Sequence, residues 1–235
     1  MLKSKIIVPL YEQLMNKFKR EIEAGLYKPG TQLPAELEMA RQNSVSVVTV
    51  RKAMDELAAH GLVEKKQGKG TFVSQVKYDR DYTRITGFSE SCRAMGLLVT
   101  SQLLEQKLIV PPEKFLKSLK LPTGSQTVYI SRLRFVNGEP MVIENNYFSL
   151  DYAFLLNEPL DGSLFEVLHD RHNVRVDCSQ KIIEICRAKV GEAKLLNLRK
   201  NYPLLLVKST AYTAMGEPVY VGSQLINGER FQLRI

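Results

Sequence analysis

The stretch from Val45 to Val73, VSVVTVRKAMDELAAHGLVEKKQGKGTFV, changes its hydrophobic period halfway along, and that change decides the fold of the first third of the chain. From Val47 to His60 the apolar residues Val47, Val50, Met54, Leu57 and Ala58 recur at steps of three and four, which predicts a helix with one buried face. Ser46 stands where an N-cap is needed and Gly61 where the helix must stop. Beyond Gly61 the reading becomes extended. Residues 62–65, the loop Lys66-Gln67-Gly68-Lys69-Gly70 and residues 71–73 predict a small hairpin with a basic, glycine-rich tip. Upstream, Leu10, Leu14, Phe18 and Ile22 make a second helical stripe ending at Gly25. KPGTQLP is turn chemistry, and a short helix fits residues 35–42. Two helices joined across residues 43–46 and followed by a hairpin predict a winged helix-turn-helix. Glycines at the hairpin tip let the backbone approach a groove, and lysines there reach phosphates.

Charge agrees with this placement. The 235 residues carry a formal net charge of +8, and residues 1–77 hold 13 Lys+Arg against 8 Asp+Glu. A basic balance concentrated in the first third favours a polyanionic partner there. With 44% hydrophobic and 25% charged residues the composition is that of a globular protein. No run of 18 apolar residues and no signal-peptide pattern occurs, so cytoplasmic residence and no membrane partner are expected. Cys92, Cys178 and Cys186 are too far apart for CxxC motifs and read as free thiols. His169 and His172 lie three apart but lack a third ligand, so they read as surface residues. No nucleophile elbow or metal-ligand cluster is present, so no cofactor and no enzyme chemistry are expected.

Residues 75–86 are polar and charge-mixed, which suits a linker between domains at 1–74 and 87–235. The second domain alternates helix and strand. Helices are predicted at 111–119, 163–171 and 191–198, and strands at 126–136, 141–148, 204–214 and 219–226. Ser163 with Glu166 reads as a capping box. Gly-Glu-Pro turns at Gly138 and Gly216 lie 78 residues apart, so helix, strand, turn and strand occur twice, implying a sheet built from two related units. The fold class is therefore α+β.

PLYEQL, IEAGLYKPGTQLP and the opening stretch together resemble the DNA-binding domain of the GntR family of bacterial regulators. RLRFVNGEPMVIENNYF, GSLFEVL and YTAMGEPVYVGSQLINGERFQL resemble the effector-binding UTRA domain of the HutC subfamily. The resemblance implies an antiparallel sheet of chorismate-lyase-like fold, a homodimer, double-stranded operator DNA and a small-molecule effector, frequently a sugar phosphate. It implies a repressor released by that effector, with half-sites about 10 bp apart. An enzyme of chorismate-lyase-like fold and a regulator answering a non-phosphorylated carboxylate are the competing readings.

Carried over by position, Ser46, Thr49, Arg51, Gly68 and Lys69 match the family's DNA contacts, and Lys52 lies one step round the helix as a phosphate contact. Without the resemblance, Arg51 reads as a surface residue paired with Asp55 at i,i+4. Leu37 and Val47 stand where relatives usually carry arginines, which predicts an operator unlike the family's commonest one. In the second domain Arg132 and Arg134, two apart on a strand, share a face and could clamp a phosphate or carboxylate. Glu144 faces the same side only if the connecting loop has an odd length. Periodicity alone reads this as a surface cross-strand pair. The resemblance instead places two arginines and a glutamate in the pocket, with Ser89 and Ser163 on the phosphate and with Phe165 and Tyr220 in the effector site. A helix N-terminus at Ser163 suits an anion. Tyr220 and Ile226 replace an acidic residue and a tyrosine of phosphosugar-responding relatives, so the sugar-reading half of the pocket is altered.

Overall fold

In the computed structural model, residues 8–75 and 77–234 are described, and the chain divides into two units, at 1–76 and 77–235. The first unit is built by the periodicities above. Helix α1 (Leu10–Glu23) turns Leu14 and Phe18 inward, α2 (Glu36–Asn43) contributes Met39 and Ala40, and α3 (Val47–Ala59) contributes Val50, Ala53, Met54 and Leu57. These side chains form one core with Leu33, Val63 and Val73. Truncating a fully buried member such as Leu57 to Ala costs about 2–5 kcal/mol. The turn between α2 and α3 is possible because Ser44 takes the left-handed conformation (φ +52°). Strands β1 (Val63–Lys66) and β2 (Gly70–Val73) pair antiparallel as the wing. Gln32 bridges to Phe72, and the Leu33 amide donates to the Thr71 carbonyl, so residues 31–33 add a third edge to the hairpin.

In the second unit, the stretch expected as a linker contains a strand. Strand β3 (Tyr78–Asp81) pairs in parallel with β10 (Phe231–Arg234), the last strand of the chain. Its alternation is Tyr78 and Arg80 inward, Asp79 and Asp81 outward. The linker reading missed it because four polar-looking residues, one of them a buried arginine, give no apolar period.

The main sheet has six strands, all antiparallel, in the order β4 (Val99–Ile109), β5 (Thr127–Val136), β6 (Glu139–Phe148), β9 (Pro218–Ile226), β8 (Pro203–Tyr212) and β7 (Cys178–Arg187). The order is symmetric about the β6–β9 pair. Strand β4, helix α5 (Glu113–Ser118), β5 and β6 are repeated as β7, helix α7 (Val190–Leu195), β8 and β9, which is the two-unit sheet implied by the paired turns. Helix α4 (Phe88–Ala94) packs its Phe88 and Cys92 with Val136, Val142 and Ile226, on one sheet face. Helix α6 (Leu164–Glu166) opens a longer, wider turn through Arg171 whose Leu164 and Leu168 cover Val128 and Ile130 on the same face. Ala193 and Leu196 cover Leu133, Ile143 and Leu225 on the other.

The capping box at Ser163 is half formed. The Ser163 hydroxyl accepts from the Glu166 amide at 3.3 Å, but the Glu166 carboxylate is taken by Arg93 at 2.5 Å. Only three residues of this segment are α-helical, so the N-terminal charge expected from a regular helix is correspondingly small.

Candidate functional site

The DNA-facing candidates lie on α3 and the wing. Ser46 caps α3, its hydroxyl accepting from the Thr49 amide at 3.1 Å and sharing a hydrogen bond with the Thr49 hydroxyl at 2.8 Å. The cap thus fixes Thr49 in place. Arg51 does not pair with Asp55. Its guanidinium donates through Nε and Nη2 to the Glu36 carboxylate of α2 at 3.1 and 3.0 Å, while Asp55 is taken by Lys65 of β1 at 2.6 Å. The cross-helix partner wins because Glu36 is presented by the neighbouring helix, a geometry that spacing along α3 does not reveal. Lys52 is exposed and stands over the Tyr11 ring at 3.8 Å, a cation–π contact it would exchange on reaching a phosphate.

At the wing tip Gly68 and Gly70 have φ of +70° and +109°, which only glycine adopts without strain. The Gln32 amide donates to the Lys69 carbonyl at 2.7 Å, and a Cβ at Gly70 would collide with that same amide nitrogen at 2.7 Å. Leu37 is 54% exposed, whereas Val47 packs against the core. Val48, passed over by periodicity, is 74% exposed on the first turn of α3.

The effector candidates converge in the second unit. Arg132 and Arg134 are 1% and 2% exposed, so the surface cross-strand pair is excluded in favour of a buried cluster. Glu144 lies directly opposite Arg132 in the β5–β6 register. The connecting turn is Asn137-Gly138, two residues and therefore of even length, which by itself would send Glu144 to the wrong face. Met141 is an extra residue on β6, between Pro140 opposite Phe135 and Val142 opposite Arg134, and this bulge restores the parity. One Glu144 oxygen accepts from Arg132 Nη2 at 2.5 Å and Arg134 Nη1 at 3.1 Å, the other from Gln224 Nε2 at 3.0 Å. Arg134 Nη2 donates to the Ser89 hydroxyl at 2.5 Å, and Arg132 Nη1 to the Gly162 carbonyl at 3.1 Å. Burial alone would raise the Glu144 carboxyl, but the two arginines and the Gln224 and Arg132 hydrogen bonds outweigh it and hold it at about 2. Burial lowers the Arg134 guanidinium to about 10 despite Glu144.

Beside this cluster lies a small enclosed cavity of about 30 Å³ whose lining includes Glu144, Gln224, Phe165 and Tyr220. Burial, then the Glu144 charge, pushes the Tyr220 phenol up, so it is neutral at physiological pH. Ser163 lines a separate groove of about 490 Å³, which shares Phe165 and Val176 with the cavity but contains neither arginine. The structure therefore brings Ser89, Arg132, Arg134 and Glu144 together, puts Phe165 and Tyr220 at the adjoining cavity and leaves Ser163 on the groove side.

Three residues escaped sequence reasoning. Arg80 of β3 is 4% exposed and donates to Gln224 Oε1 at 2.7 Å, and Lys181 of β7 lines the same cavity. Gln224, opposite Glu144 on β9, joins Arg80 to the carboxylate. Register offered one route to them, since Arg132, Glu144 and Gln224 form a single row across three strands.

The structural repeat does not repeat the clamp. By register Ser209 and Ala211 take the places of Arg132 and Arg134, and Gly222 that of Glu144. A Cβ at Gly222 would meet the Asn145 carbonyl at 2.6 Å, so a glutamate does not fit there. Only one half of the sheet carries the cluster. Among the described residues no group of three or more His, Cys, Asp or Glu gathers as a metal site, and no helix is long and apolar enough to cross a membrane. His169 pairs with Asp170, and His172 with Glu158.

Comparison with known proteins agrees with both halves. Residues 10–73 match the model of bacterial regulatory proteins of the gntR family, and residues 94–232 that of the UTRA domain. The chain is 30% identical over 225 residues to the HTH-type transcriptional repressor NagR of Bacillus subtilis, spanning 95% of this chain and 93% of that one. It is 28% identical to the probable fructoselysine utilization operon transcriptional repressor of Escherichia coli K12, over 96% of this chain and 93% of the relative. Among solved structures, PhnF from Mycobacterium smegmatis superposes with a TM-score of 0.67 at 22% identity, covering 94% of this chain and 98% of PhnF, a likeness of fold. A winged helix-turn-helix followed by a symmetric antiparallel sheet, matched from end to end by transcriptional repressors, makes this chain a DNA-binding, effector-responsive regulator of the GntR family, in its UTRA-containing subfamily.

Proposed function

We propose that the protein is a cytoplasmic homodimeric repressor that leaves its operator when an anionic, sugar-derived metabolite enters the second unit. The observation that supports this most directly is the buried Arg132–Glu144–Arg134 cluster with Ser89 on its edge. Two guanidinium groups held in fixed geometry suit bidentate recognition of phosphate or carboxylate. The names of two relatives point the same way, one a fructoselysine utilization repressor and another, at 24% identity, a mannosyl-D-glycerate system repressor from Escherichia coli.

In this reading Ser46, Thr49, Arg51, Lys52, Gly68 and Lys69 face DNA, and Ser89, Arg132, Arg134, Glu144, Ser163, Phe165 and Tyr220 serve the effector. Arg51 exchanges Glu36 for a guanine edge or a phosphate. The exposed edge-strand residues Ile182 and Ile185 of β7 support a subunit interface on the second unit. The domain division we favour is a DNA-binding part at 1–74 and an effector part that already includes β3, so the hinge is shorter than the sequence suggests.

Calorimetry on the full chain with glucitol 6-phosphate tests the pocket. Wild type is expected to bind, and Ser89→Ala to lose about tenfold in affinity by removing one charge-assisted hydrogen bond. Unchanged affinity in an Arg132→Ala, Arg134→Ala double variant would defeat the clamp. DNase footprinting upstream of the gene tests polarity, and a footprint that strengthens when the sugar phosphate is added would overturn derepression.

A further inference from the structure

The charges around the effector cavity do not balance. Arg80 of β3 and Lys181 of β7 line it, and Arg132 and Arg134 of β5 stand behind it on Glu144, which among the described residues is the one carboxylate among these four cations. Arg80 is buried, yet its partners are the neutral Gln224 amide and the Tyr82 and Phe88 rings, which its guanidinium carbon approaches at 4.6 and 5.1 Å. Lys181 donates to the Ser179 hydroxyl at 2.5 Å and stands 5.0 Å from the Tyr82 ring. Among the described residues neither cation has a carboxylate partner within ion-pair distance. Burial, then Arg80, pushes the Lys181 ammonium down, which reports the same excess of positive charge. A buried cation without counter-charge is costly, as Arg80 is here beside the half-buried Lys181, and an arriving anion would relieve that cost.

The two sets of cations are adjacent but distinct. Arg134 and Arg80 both stand over the Phe88 ring, at 5.0 and 5.1 Å, so they share one aromatic neighbour. Lys181 lies farther along, its strand four spacings from β5, or about 19 Å between backbones. A phosphate monoester brings about two negative charges. Set on the Arg132–Arg134 clamp, it leaves roughly one positive charge uncompensated on the Arg80–Lys181 side.

We propose that Arg80 and Lys181 form a second anion subsite beside the Arg132–Arg134 clamp, and that the effector accordingly carries two acidic groups, a phosphate at one end and a singly charged group of carboxylate type at the other. This rests on the clamp reading above and deepens it. Tyr220 and Gln224 line the cavity beside Arg80 and Lys181 and face the uncharged middle of the ligand once that cavity, about 30 Å³ as it stands, opens to admit it.

The test compares two open-chain probes of equal length by calorimetry on the full chain. Glucitol 6-phosphate has the phosphate alone, and 6-phosphogluconate adds a carboxylate at the opposite end. Wild type is expected to prefer 6-phosphogluconate by about tenfold or more, the effect of one charge-assisted contact. Lys181→Met, at a half-buried position, is expected to lower 6-phosphogluconate affinity by about tenfold and glucitol 6-phosphate affinity much less. Arg80→Gln is expected to do the same, with thermal melting to confirm that it folds. Equal affinity of wild type for the two probes, or equal losses for both in Lys181→Met, overturns the second subsite. Loss of selectivity is separable from loss of the clamp. If Ser89→Ala leaves both probes unaffected, or neither binds wild type, the clamp reading itself falls.

Discussion

Glu144 accepts three donors from three different side chains, two of them cationic, and among the described residues it is the only anion in the cluster. Its carboxyl sits at about 2 in the fold, below its ordinary value of 4.5, so folding favours the ionised form. The stabilisation from that shift is complete above pH 4.5 and is lost as pH falls through the interval from about 4.5 to about 2. A displacement of this size is worth about 3 kcal/mol. Chemical denaturation of the full chain from pH 6 down to pH 2 should show the second unit weakening across that window. Glu144→Gln should be less stable by about 3–5 kcal/mol at neutral pH, because two buried guanidinium groups lose their counter-charge, and should lose most of the acid dependence in that window. If the variant matches wild type at pH 7 and keeps the same acid slope, Glu144 is not the group that holds the arginines in place.

At the scale of elements, the site depends on one backbone irregularity. Because the Asn137-Gly138 turn is even in length, the Met141 bulge is what aligns Glu144 with Arg132. Deleting Met141 should remove the bulge and leave Glu144 opposite Arg132, because Val142 then follows Pro140 directly and keeps its place opposite Arg134. The expected outcome is retained sugar-phosphate binding with a lower melting temperature of the second unit, since the buried Met141 side chain is lost, whereas lost binding would show that the register does not close up at the deletion. The parity was readable from sequence only as a condition, an odd loop, and bulges carry no period to announce them. The helices and wing of the first unit were legible because their apolar residues follow 3.6- and 2-residue periods and their caps are local. The spacing of two put Arg132 and Arg134 on one face, but periodicity alone read a surface pair, and their burial was not legible from it. Strand β3 and the Arg51–Glu36 pair were not legible either, since each depends on a partner distant in sequence: β10 begins more than 140 residues after β3, and Glu36 lies on another helix.

For the whole molecule, the connection between the two units is short. Strand β2 ends at Val73 and β3 begins at Tyr78, so four residues, 74–77, separate the wing from a strand whose Arg80 lines the cavity beside Glu144. Strand β3 is in turn tied to the C-terminal strand β10, where Arg234 pairs with Asp79, and Phe231 packs on Tyr78 and Phe88. A ligand drawn onto Arg80 acts on the strand that leads out of the DNA-binding unit, and a tether this short passes on a change of direction that a long flexible one would absorb. Linkage then requires the effector to change operator affinity by the same factor as the operator changes effector affinity. Inserting Gly-Ser-Gly-Ser after Gln75 should leave 6-phosphogluconate affinity, measured without DNA, within about twofold of wild type while the coupling factor falls toward one. The measurement is a pair of titrations: the sugar acid into protein with and without operator, and operator into protein with and without the sugar acid. A coupling factor that survives the insertion means the signal does not travel through residues 74–77 and β3, and reciprocal factors that disagree mean the two ligands are not acting on one equilibrium.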